Sequence, residues 1–220
     1  MTLDFSVVAD VWRALLGGAL GTMFLASSGM ALAMLIGVLG VWLLRGQMLL
    51  LSFLVGAFVE VIRNTPFLVQ IYFVFFALPL VGIRLNPTAT AIIALGLNGG
   101  AYAIEIIRGG VESIPKGQTE AGLALGLHKN EVFRFIILKP ALRAIYPSLS
   151  SQFILLTLTT AICTSISAYE LTSVGQRIEA ETFRSFEAYF TLTGIYLVIS
   201  LLTMWFLAAI GRRAFDYPQR

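Results

Sequence analysis

Charged positions divide the chain into long apolar stretches. Uncharged runs cover 14–44, 46–59, 64–83, 85–104, 144–169 and 188–211, and a bilayer core about 30 Å thick takes about 20 helical residues to cross. Five of these six runs reach that length, whereas 46–59 falls short alone. The pattern predicts transmembrane helices at about 16–44, 48–79, 88–107, 145–167 and 189–211. The second is expected to bend at 64–66, where Glu60, Arg63, Asn64, Thr65 and Pro66 interrupt it. A polar loop at 108–143 follows the third helix, and a charged amphipathic stretch at 169–187 leads into the fifth. The expected fold is all-α: a five-helix membrane protein forming one transmembrane domain over 1–220.

Composition closes the soluble alternative. Of 220 residues 58% are hydrophobic and 12% charged, against about 25% charge in soluble domains, and the mean hydropathy is +0.86. The start, MTLDFSVVAD, carries Asp4 and Asp10 before its first basic residue, Arg13. That is the wrong charge for a secretory leader, so no cleaved signal is expected. A net charge of +3 is compatible with nucleic-acid binding by its sign alone, but the charges sit in membrane loops and predict no such partner.

Where they sit gives an orientation. Arg45, Arg108, Lys116, Lys129, Arg134, Lys139, Arg143, Arg212, Arg213 and Arg220 fall on one side, and Arg13, Arg84, Arg177 and Arg184 on the other. The positive-inside rule puts the long loop and C-terminus in the cytoplasm and the N-terminus outside. Cys163, the single cysteine, lies in an apolar run. It reads as a small packing residue rather than part of a disulfide framework or metal site.

The 108–143 loop holds the densest signal. Ser113 and Pro115 can start a short helix that Gly126 ends, and a second can start near His128, with Glu131 at capping-box spacing. Two short helices joined at a glycine look like a docking element. The segment resembles the EAA loop of ABC-importer permeases, whose pattern is E-A-A, three residues, G, nine residues, I, one residue, L-P. Glu120, Ala121, Gly126, Ile136 and Leu138 match, Gly122 replaces the second alanine, and Lys139 takes the proline position with Pro140 one later.

The segments Arg63-Asn64-Thr65-Pro66-Phe67-Leu68-Val69-Gln70, Ala101-Tyr102 with Glu105 and Arg108-Gly109-Gly110, and Ser113-Ile114-Pro115-Lys116-Gly117-Gln118 resemble the polar amino acid branch of these permeases. The similarity covers about 15–215. It implies the type I importer permease fold in a bacterial inner membrane. It also implies an identical or homologous second permease, two cytoplasmic ABC ATPase subunits and a periplasmic solute-binding protein. The resemblance gives this chain no cofactor, because ATP and Mg would sit on the ATPase. It makes Lys116, Gly117, Glu120, Ala121, Gly122 and Gly126 the coupling residues.

Substrate-path candidates come from polar residues at membrane depth, where a charge costs about 2.5–3.5 kcal/mol on insertion scales. Glu60 and Arg63, three residues apart, can neutralise one another. Alternatively Asn64 and Thr65 precede a fresh helix start beside Arg63 that suits a substrate carboxylate, or Arg63 merely snorkels. Asn98, before Gly99 and Gly100, reads as helix–helix glue or path lining, with Tyr102 following. Glu105 and Arg108 are spaced for a local ion pair. Glu170 reads as an outer gate, a contact for the binding protein or an interfacial cap.

Other classes fit less well. A Ser–His hydrolase lacks its base, since the single histidine, His128, lies in the loop and reads as a helix start. No metal-ligand spacing is present, and no G-x-x-x-x-G-K-[ST] phosphate loop exists, so ATP hydrolysis must come from a partner. The expected role is transport rather than catalysis. A permease for another small solute, such as an opine, and a self-contained secondary carrier are the alternatives; the carrier leaves the long docking loop unexplained.

Overall fold

A computed structural model describes Phe5 and residues 10–46 and 48–215; Asp4 and Arg220 lie outside them. Among the described residues eight helices follow in order: α1 Trp12–Arg45, α2 Leu49–Arg63, α3 Phe67–Leu80, α4 Pro87–Glu112, α5 Lys116–Ala124, α6 Lys129–Ile166, α7 Leu171–Thr182 and α8 Ser185–Phe215. Helices α1, α4, α6 and α8 are each long and apolar enough to cross a membrane, and α2 with α3 forms a pair bent by 114°.

Contacts between helices give the bent pair its meaning. A Cβ on Gly29 would lie 2.8 Å from the Leu95 Cβ, and one on Gly37 would lie 2.7 Å from the Ala103 Cβ. Positions along α1 and α4 thus advance together, so these two helices run parallel. The chain must return between them, and α2 with α3 therefore supplies one net crossing rather than a re-entrant loop. Helix α6 runs antiparallel to α4, because Gly110 abuts Ile145 while Gly99 abuts Leu156. Helix α8 runs back again, with Gly211 against Tyr146 and Leu197 beside Leu158. The start of α1 and the end of α8 lie at opposite ends of the bundle.

Glycine makes the α1–α4 seam possible. Without a strong hydrophobic drive between helices in lipid, close approach and dispersion hold them, and a side chain at Gly29 or Gly37 would push the axes apart. Around this seam Leu25, Ile71, Leu95, Leu156 and Ile166 form the main core, which ties α3 and the end of α6 to α1 and α4.

Several boundaries differ from the charge-delimited runs, for a common reason. Arg13 lies inside α1 with its guanidinium 5.4 Å from the Trp12 ring, and Arg108 lies inside α4. A charge near a membrane surface can leave through its own long side chain without ending the helix. The largest correction concerns the second short helix of the loop. It is not separate: α6 starts at Lys129 and runs unbroken to Ile166, 38 residues, with a π-helical stretch at Val132–Ile137.

Candidate functional site

The break between α2 and α3 is held by side chains. A helix end in hydrocarbon must find internal partners for its free carbonyls, since each costs several kcal/mol unpaired. Asn64 Nδ2 donates to the Glu60 carbonyl at 2.8 Å and to Glu60 Oε2 at 2.9 Å. Thr65 Oγ1 donates to the Val61 carbonyl at 2.8 Å. Gln70 Nε2 reaches back from α3 to the Ile62 carbonyl at 2.7 Å and to the Thr65 carbonyl and Oγ1, each at 2.9 Å. Three consecutive carbonyls of α2 are thereby satisfied. Gln70 Oε1 in turn accepts from Asn98 Nδ2 at 2.9 Å, which fastens the break to α4.

One turn and more below Asn98, α4 presents three further groups to the break. Arg63 Nη1 lies 3.4 Å from Glu105 Oε2, and Arg108 Nη2 lies 2.8 Å from the same oxygen. The Arg63 guanidinium also stands 5.7 Å from the Tyr102 ring centroid. The expected Glu60–Arg63 pair is therefore replaced: Glu60 holds Asn64, and Arg63 crosses to α4. The local Glu105–Arg108 pair is present but shared. Two guanidiniums on one carboxylate leave a net positive cluster, half-exposed, about 10 Å of helix from the end of α4. The first amides of α3, at Phe67 and Leu68, precede its first internal bonds, from Val69 and Gln70 to the Pro66 carbonyl.

Glu170 belongs to a different place. It is fully buried at the start of α7, where its carboxylate accepts from Thr172 N at 2.9 Å, Ser173 N at 2.7 Å and the Tyr196 hydroxyl at 2.7 Å. Leu171 N donates to Thr22 Oγ1 at 3.2 Å, which joins this cap to α1. Burial raises the Glu170 carboxyl above its ordinary range, opposed by those hydrogen bonds. In this chain Glu170 is the N-cap of α7, with its carboxylate turned inward.

At the other end, α5 is a short helix with a defined exit. Gly126 sits at φ +85°; its N–H donates to the Leu123 carbonyl at 3.0 Å and the Leu127 N–H to the Gly122 carbonyl at 3.2 Å. These are the paired bonds of a Schellman motif, whose left-handed residue is normally glycine. Gly122 is buried: a Cβ there would meet Ile136 at 2.6 Å and Val132 at 3.0 Å, both in the π-helical stretch of α6. Lys116, Gly117, Glu120 and Ala121 remain exposed, and Leu125 is 82% exposed.

Gln70 is the residue that motif reading passed over as a binding hub. Its signal was its position: an amide four residues past Pro66, in a run otherwise apolar to position 83, needs a partner at membrane depth. Gly122 was assigned to the loop by motif, but its packing against α6 requires the π-turn to be seen.

A bundle with a hydrogen-bonded break at membrane depth and a rigid element at one end is the build of a membrane transport subunit. Residues 29–216 match the family described as binding-protein-dependent transport system inner membrane component. The glutamine transport system permease protein of Escherichia coli strain K12 is 37% identical over 97% of this chain and 98% of its own length. The L-cystine transport system permease protein of Bacillus subtilis strain 168 is 34% identical over 96% and 91%. Among solved structures, an amino acid ABC transporter crystallised with histidines superposes with a TM-score of 0.90 at 29% identity, over 97% of this chain and 100% of that one. The chain belongs to the binding-protein-dependent inner membrane component family: it is a permease subunit of an ABC importer.

Proposed function

We propose that this permease forms one transmembrane domain in a bacterial inner membrane and passes polar amino acids, such as glutamine or cystine, delivered by a periplasmic binding protein. A second permease, identical or homologous, completes the path, and two cytoplasmic ATPase subunits hold the ATP and Mg. The loop and C-terminus face the cytoplasm, consistent with the charge asymmetry. The relatives named above support the substrate class. On this reading the path runs past the break, where Arg63, Asn64, Thr65, Asn98 and Tyr102 are gathered, and a substrate carboxylate exchanges with Glu105 on the paired guanidiniums.

The seat of Gly122 on the π-turn carries the coupling assignment. Because α5 rests on α6 there and is tied to α4 through the short 113–115 link, displacement of α5 by the ATPase moves two spanning helices together. Lys116, Gly117, Glu120 and Ala121 supply the face toward the ATPase. The test is Gly126→Leu, which removes the left-handed exit. The variant should insert and assemble in the membrane yet lose stimulation of ATP hydrolysis by loaded binding protein; normal stimulation would sink the coupling role.

A further inference from the structure

At the loop end of the bundle two hollows meet. The first, of about 470 Å³, is an apolar groove between α1, α4 and α6, walled by Val38, Trp42, Ile107, Phe133 and Leu142. The second, of about 240 Å³, is polar, lies between α1, α2 and α4, and carries Ser52, Arg108 and Glu112. Val41 and Arg45 line both. Trp42 is 70% exposed, so the groove opens sideways on the bundle, while the polar hollow sits at the helix ends.

Arg45 is the last residue of α1 and is exposed. Among the described residues it has no hydrogen bond or ion pair, although Glu112 stands on the same polar hollow. Arg108 is committed to Glu105 at 2.8 Å, so Arg45 is the cation left to meet a ligand. An apolar slot that continues into a polar pocket with a free guanidinium has the two-part chemistry of a phospholipid at an interface. Basic pockets between spanning helices suit anionic headgroups, and an indole at this depth matches the interfacial belt.

We propose that this composite hollow binds an anionic glycerophospholipid of the phosphatidylglycerol type. Acyl chain fills the groove beside Trp42, the phosphate meets Arg45, and a headgroup hydroxyl donates to Glu112. Arg63 and Arg108 share Glu105 and Arg45 stands near Glu112, so three guanidiniums face two carboxylates, and that excess favours this lipid over a zwitterionic one. The assignment needs this end of α1 to lie at a membrane surface and does not depend on the transported solute.

The assembled importer is reconstituted in vesicles of equal parts phosphatidylglycerol and phosphatidylethanolamine, re-extracted, and weighed by native mass spectrometry. Wild type should retain phosphatidylglycerol selectively. Arg45→Gln should retain about fivefold less, the worth of one cation at an anionic surface, while Arg45→Lys keeps most of it and Trp42→Ala loosens both lipids. Equal retention of the two lipids, or retention unchanged in Arg45→Gln, would overturn the proposal. So would displacement by inorganic phosphate, which would mark a site for a free anion. A Val38→Cys cross-link to the second permease would show the groove to be covered by protein, which also overturns it.

Discussion

Replacing Gln70 by leucine removes a hub without creating a hole. The change deletes the donor to the Ile62 and Thr65 carbonyls and the acceptor for Asn98 Nδ2. An unsatisfied buried polar group costs about 1–3 kcal/mol, but Thr65 is exposed and its carbonyl can turn to other partners. The Ile62 carbonyl and the Asn98 amide are the two real losses; both residues are half-buried, which puts each near the low end of that range and the total at about 2–3 kcal/mol. For a chain of this size that lowers the melting temperature of the detergent-solubilised permease by about 5–10 °C. The double variant Gln70→Leu with Asn98→Leu should recover part of the loss, because replacing both partners of a bond leaves no orphan. Gln70→Glu should fare worse than leucine, since it keeps the shape but adds a charge at depth. A Gln70→Leu permease that melts with wild type, or a double variant whose losses simply add, would refute the view that this amide holds the break.

Gly37→Val should destabilise by about 1–3 kcal/mol through overpacking against Ala103, whereas Gly194→Ala, with nothing within 4 Å of its Cβ, should melt close to wild type. Glu105→Gln frees Arg63 and Arg108 for a substrate carboxylate, so uptake assays should show a lower KM together with a lower maximal rate; both unchanged would remove the cluster from the path. Its effect on stability stays below about 1 kcal/mol because the pair is half-exposed and solvent-screened. Glu170, whose folded carboxyl titrates above its ordinary value of 4.5 through burial, favours the folded state most when protonated. The melting temperature of wild type relative to Glu170→Gln should therefore rise as pH falls from neutral toward 4.5, with Thr22 and Tyr196 as its neighbours, and a flat difference would refute it.

Much of the frame was legible in one dimension because a membrane makes charge costly. Runs between charges located all five crossings, and Asn64–Pro66 marked the break. Sequence could not show where each end finds its partners. Glu60 and Arg63 are three apart on one helix, and pairing them satisfies a local rule. Yet Asn64 competes for Glu60 from one residue past the helix end, and Glu105 waits on a helix 42 residues away. Local spacing lists possible partners, and the α1–α4 seam, built on glycines whose register no single-chain pattern reveals, decides among them. The same holds for α6: its π-turn is invisible to periodicity, so a continuous helix read as a loop followed by a span.

The two candidate sites are linked by a single element. Helix α4 carries Asn98, Tyr102, Glu105 and Arg108 along the face that meets the break, and its last turn ends at Glu112, with the Ser113 hydroxyl donating to the Gly110 carbonyl at 2.7 Å. Three residues later α5 begins. Gly110 is itself packed on Ile145 of α6, so the end of α4 cannot shift without α6, and Gly122 holds α5 on the π-turn of that same helix. On the proposed coupling, a push on α5 would pass into two helices rather than into a loop: one leads to Glu105 and the other to the far end of the bundle, and the hydrogen bonds to Gln70 attach the broken span to the first.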